Sequence, residues 1–139
     1  MNMICEMPAM NLPEPFLIDD CAFSLEALRS RAEELSGDHT VQEWRRDLFT
    51  FIRMFLDEGR EAIIQKTSGT TGEPANVNLK RSAMIRSAEM TLDFFRLQPG
   101  DPVLLCLPVR YIAGKMMVVR ALCGGLRLVT TEPASRPLK

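Results

Sequence analysis

Apolar positions in the first half of the chain recur at helical spacing. Leu25, Leu28, Ala32 and Leu35 share one face of a helix predicted over residues 24–36, with Ser24 as its N-cap and Gly37 free to take a left-handed C′ position. A second helix is predicted over residues 40–58, where Thr40 and Glu43 stand at capping-box spacing and Gly59 ends the pattern. Its stripe of Val41, Trp44, Leu48, Phe51, Ile52 and Phe55 reads as core packing rather than a cofactor box. Residues 1–23, with Pro8, Pro13 and Pro15, read as an irregular leading segment.

After residue 60 the period changes. Residues 61–67 predict a short strand centred on Ile63 and Ile64, and the alternation of Val77 and Leu79 with polar residues predicts a returning one. Ser82 is placed to cap a third helix ending near Arg96, with Met84, Ala88, Leu92 and Phe95 facing the core. The turn Gln98-Pro99-Gly100-Asp101 leads to an apolar run over 102–107, the kind of strand buried on both faces. A largely apolar helix over 112–122, a break at Gly124-Gly125 and a strand over 126–130 complete the order. Two leading helices followed by alternating strands and helices indicate an α/β domain over 24–130, with residues 131–139 as a tail. The last strand ought to have further neighbours, so the expected architecture is an interrupted domain.

Composition then narrows the class. The 139 residues are 46% hydrophobic and 25% charged, as in an ordinary soluble domain. Seventeen basic residues against 18 acidic ones give a formal charge of −1, which argues against nucleic acid or an anionic membrane as the main partner. The longest apolar run, residues 103–109, is interrupted by Pro108 and falls far short of the ~20 residues a membrane-spanning helix needs. Cys5, Cys21, Cys106 and Cys123 form no C-x-x-C pair and read as reduced core thiols, which places the chain in the cytoplasm. The single histidine, His39, sits in the polar stretch Gly37-Asp38-His39-Thr40 and reads as an exposed turn residue; no metal site is expected.

Two segments carry candidate chemistry. In Thr67-Ser68-Gly69-Thr70-Thr71-Gly72, four hydroxyls and two glycines stand in six residues. Glycines let a backbone approach a ligand and aim its N–H groups inward, and hydroxyls add donors for phosphate oxygens. A phosphate cradle is one reading and a hairpin turn of small residues the other. It is not a Walker A loop, because no Lys follows Gly72. The second segment runs from Leu107 to Arg120, where Lys115 and Arg120 are the only charges on the predicted helix. Five residues apart, they point roughly 140° away from each other. Each either meets an anionic substrate, reaches water, or pairs with a carboxylate of the protein.

Ser68-Gly69-Thr70-Thr71-Gly72-Glu73-Pro74 resembles the phosphate loop of the adenylate-forming superfamily of acyl-CoA synthetases, adenylation domains and luciferases, whose pattern is [ST]-S-G-[ST]-T-G-x-P-K. Leu107-Pro108 through Gly114, with Tyr111 as its aromatic, is similar to the family's next motif, which lines the acyl pocket. The run on to Arg120-Ala121-Leu122 and Gly125 looks most like the branch that activates o-succinylbenzoate in menaquinone synthesis. The resemblance covers residues 61–130.

It implies an ATP-dependent ligase that forms an acyl adenylate and then a coenzyme A thioester, with Mg²⁺ accompanying ATP. Thr67, Ser68, Gly69, Thr70, Thr71 and Gly72 would bind the nucleotide phosphates. Tyr111, Gly114 and Arg120 would lie on the acid side, with Arg120 toward a substrate carboxylate; Lys115, which has no clear counterpart in the family, is a further candidate there. The partners implied are a small carboxylic acid and a nucleotide, and a homodimer is possible through an unpaired sheet edge. Where the family has its loop Lys, this chain has Ala75; Glu73 adds negative charge, and Lys80 is five residues further on. The family's later catalytic motifs are expected beyond residue 139, so the chain is expected to be an N-terminal part, inactive alone and holding no catalytic residue. The alternatives are a fatty-acyl, aryl or amino-acid activator of the same superfamily, or a non-enzymatic phosphate-binding or interaction module.

Overall fold

A computed structural model describes residues 12–68 and 74–133. The first described elements are a hairpin of two short strands, β1 (Phe16–Ile18) and β2 (Cys21–Phe23), within the stretch expected to be irregular. Phe16 and Ile18 face the core, and Asp19, in the left-handed region at φ 52°, makes the turn between the strands. Helix α1 (Leu25–Ser36) starts on the expected cap, the Ala27 N–H donating to Ser24 Oγ at 3.1 Å. It buries Leu28, Ala32 and Leu35 against α2 (Glu43–Leu56).

The link between these helices departs from expectation. Gly37 is not left-handed; it sits at φ −100° and ψ 0°. Thr40 does not cap α2, because its N–H and hydroxyl both donate to Asp38 Oδ1, at 2.9 and 2.6 Å. This Asx-type turn uses up the hydroxyl, and Gln42 becomes the N-cap without a side-chain bond. His39 is exposed in the turn, as expected, with Nδ1 2.9 Å from Arg46 Nη1. The aromatic stripe of α2 is core: Leu48, Phe49, Phe51, Ile52, Phe55 and Leu56 are all buried.

Strands β3 (Ala62–Ser68) and β4 (Pro74–Lys80) form a separate antiparallel hairpin, in register from Ala62↔Lys80 to Ser68↔Pro74. Helix α3 (Arg81–Phe94) begins with no intervening loop, because the Arg81 N–H still bonds Glu61 O at 2.8 Å. Lys80 is therefore its N-cap, and Ser82 falls inside the first turn instead of capping it. Then follow β5 (Pro102–Leu105), α4 (Ile112–Gly124) and β6 (Arg127–Thr130).

The main sheet has the order β2-β1-β6-β5, with β1, β6 and β5 parallel. Helix α4 links the neighbouring parallel strands β5 and β6, as a βαβ crossover does. It ends at Gly125, whose φ of +64° is the left-handed cap that glycine takes without strain. Strand β5 is not buried on both faces: only Leu105 is fully covered, and Leu104 is 49% exposed. Among the described residues β5 is an edge strand whose outer face has no second layer, which two-sided burial requires.

One hydrophobic cluster joins both sheets to all four helices, from Phe16 and Leu28 through Phe55 and Ile63 to Ala88, Val119 and Leu128. Cys21, Cys106 and Cys123 are free, but Cys21 is exposed rather than in the core. Burial pushes the Cys123 thiol up to about 12, so it stays protonated and inert at neutral pH. Cys5 lies outside the described residues. Among those residues no helix is long and apolar enough to cross a membrane, and no group of His, Cys, Asp and Glu could hold a metal ion.

Candidate functional site

The hydroxyl- and glycine-rich segment begins on the last rungs of β3 and, in sequence, lies between β3 and β4. Thr67 and Ser68 occupy the last two rungs of β3, opposite Ala75 and Pro74. Gly69, Thr70, Thr71 and Gly72, on which the phosphate reading mainly rests, lie outside the described residues. The register settles one question about charge. Lys80 pairs with Ala62 at the far end of the ladder, six residues from the Ser68↔Pro74 rung. At ~3.4 Å per residue that is roughly 20 Å, too far for Lys80 to stand in for the loop's missing lysine.

The second segment begins where β5 ends. The Tyr111 N–H donates to Pro108 O at 3.2 Å, folding residues 108–111 into a turn that starts α4. Tyr111 is the N-cap, half-exposed, with the Arg110 guanidinium 5.1 Å from its ring centroid. Gly114 is buried against this turn. A Cβ there would lie 2.2 Å from Pro108 O, so only glycine lets the first turn of α4 approach so closely.

Lys115 is almost entirely buried and pairs with no carboxylate among the described residues. It is 8% exposed, and its Nζ donates to Gln65 Oε1 at 2.6 Å and to Arg110 O at 3.3 Å. The Phe51 ring closes the third side, its centroid 5.8 Å from Nζ. Burial lowers the Lys115 pKa below the ordinary lysine value. Gln65 also donates from Nε2 to Arg110 O at 2.8 Å and to Lys66 O at 3.0 Å. The sequence did not single out Gln65. The available signal was its parity, since on β3 it shares the inward face with buried Ile63 while Ile64 and Lys66 face out.

Arg120 is on a different neighbourhood of α4. It stands nine residues from Tyr111, about 13 Å along the axis, so the two do not meet. Arg120 is half-buried, and among the described residues its Nε has no hydrogen-bond partner.

A cleft of about 460 Å³ opens at the carboxyl ends of β5 and β6. Trp44 and Asp47 of α2 line one side, Leu107 and Arg110 another, and Thr131 and Glu132 the rim. The carboxyl edge of a parallel sheet is where α/β folds commonly seat ligands.

The profile of the AMP-binding enzyme family matches residues 20–139, and the chain belongs to that family. It is 35% identical over 63 residues to a CoA ligase from Gibberella moniliformis, a match covering 45% of this chain and 10% of that protein. It also superposes with a TM-score of 0.64, at 31% identity, on an AMP-forming acyl-CoA synthetase/AMP-acid ligase II-like protein from Dyadobacter fermentans. That likeness covers 76% of this chain, whereas the chain spans 29% of that protein.

Proposed function

We propose that this chain supplies the triphosphate loop and the acid-side segment of an AMP-forming acid–CoA ligase. A substrate carboxylate oxygen attacks the α-phosphorus of ATP; the α–β anhydride bond breaks and pyrophosphate leaves with the electron pair. The coenzyme A sulfur then attacks the acyl carbon, its proton passes to solvent, and AMP departs. The observation that carries this reading is the hairpin whose described ladder ends at Ser68↔Pro74, with Gly69-Thr70-Thr71-Gly72-Glu73 the sequence that joins its two strands. Backbone N–H groups and hydroxyls there would offset charge on the leaving pyrophosphate, with Mg²⁺ arriving as part of the MgATP substrate.

For the acid we propose o-succinylbenzoate. The similarity of the run ending Arg120-Ala121-Leu122 supports it. This acid carries a second carboxylate that the reaction does not consume, and Arg120 would hold it. Coenzyme A and ATP are cytoplasmic reactants, which fits the free thiols.

The test is pyrophosphate release by the full-length enzyme. It should depend on o-succinylbenzoate, with kcat/KM falling at least tenfold in Arg120→Ala, the scale of a lost charge-assisted hydrogen bond. Thr70→Ala and Thr71→Ala should each weaken MgATP binding several-fold in calorimetry. Equal turnover of fatty, aryl or amino acids, indifferent to Arg120, would move the enzyme to another branch. Absence of MgATP binding would leave a non-enzymatic module.

A further inference from the structure

The ligase reading leaves Lys115 unexplained. An ammonium kept from water is costly unless compensated, and methionine would fill the same space without that cost. No carboxylate lies within ion-pair distance of Lys115 among the described residues. Its acceptors are instead a neutral amide and a backbone carbonyl, from segments 50 and five residues away in sequence.

The arrangement is directional. Lysine has only donors, so Gln65 must turn its oxygen toward Nζ. The Gln65 NH₂ is then aimed at the carbonyls of Arg110 and Lys66. Gln65 lies three residues before Ser68, on the stem of the phosphate loop; Arg110 immediately precedes Tyr111. Both polar side chains are more than nine-tenths buried. The stem and the acid-side turn are thus joined by one ammonium and one amide that converge on the Arg110 carbonyl.

Resting on the ligase reading, we infer that Lys115 and Gln65 are positioning residues that transmit nucleotide occupancy from the loop stem to the 110–113 turn. Any shift of β3 when the loop takes up MgATP moves Gln65, and with it the carbonyl that precedes the acid-pocket wall. Coupling of this kind is reciprocal, so the acid would also bias the loop.

Hydrogen exchange of the full-length enzyme tests this, with and without the Mg²⁺ complex of an ATP analogue whose α–β bridge is methylene. In the parent enzyme, saturation should slow exchange across residues 110–113 at least fivefold. Lys115→Met and Gln65→Glu should bind the analogue within about threefold of the parent yet lose that transmitted protection. Gln65→Glu keeps an acceptor for Lys115 and adds a counter-charge, so it remains informative if Lys115→Met does not fold. A residue with only a structural role would lower the melting temperature and leave the transmitted protection intact. Protection surviving in either folded variant, or absent from the nucleotide-bound parent, would overturn the inference. Failure of the analogue to bind the parent would instead remove the ligase reading, and the inference with it.

Discussion

Lys115 shows how far single residues can be read. Its oddity was legible, because a charge in an apolar helix demands a partner. The partner was not legible: it is a neutral glutamine 50 residues away rather than solvent or a carboxylate among the described residues. The burial has a consequence for stability. The folded state lowers the Lys115 pKa, while the unfolded chain keeps it near the ordinary ~10.4. As pH rises between those two values, the folded form has released its proton and the unfolded form still holds one, so stability increases across that window. Urea unfolding between pH 7 and 10 should show the parent gaining on Lys115→Met as pH rises. A difference independent of pH would mean that the ammonium is not desolvated. Gly114 was read as part of the acid site from motif position alone; its contact with Pro108 O is a packing requirement that no spacing rule exposes.

Elements with a long period were legible, and so were the four-residue strands β5 and β6, read from their apolar runs; the shortest strands were not. The four helices and the β3–β4 hairpin follow from apolar spacing over 10 or more residues, or from clean alternation. Strands β1 and β2, at three residues each, are too short to establish a period, and prolines precede them. Helix caps depend on which partner a hydroxyl finds first. Ser24 has no nearer competitor and caps α1, whereas Asp38 captures Thr40. Ser24→Ala should therefore cost ~1 kcal/mol in chemical denaturation, the usual value of an N-cap side chain. Thr40→Ala should cost clearly less, since only an exposed contact is lost. Equal effects would contradict the assignment of the two caps.

At the scale of the molecule, the α/β class and the family resemblance were legible, while the cleft at the sheet's carboxyl edge was not, because Trp44 and Thr131 are 87 residues apart in sequence. A single hydrophobic cluster spanning both sheets predicts one cooperative transition. Trp44 is the only tryptophan, so its fluorescence reports α2 beside the cleft, and far-UV circular dichroism reports all elements. The two urea transitions should coincide; separation would show that the β3–β4 hairpin and the main sheet melt independently. The peptide between Arg110 and Tyr111 is pinned at both ends, its oxygen by Gln65 and Lys115 and its N–H by Pro108. Rotating that plane would break three hydrogen bonds at once. Any movement of the 108–111 turn must therefore carry it as a rigid plate, pivoting on the chain before it rather than within the bend itself.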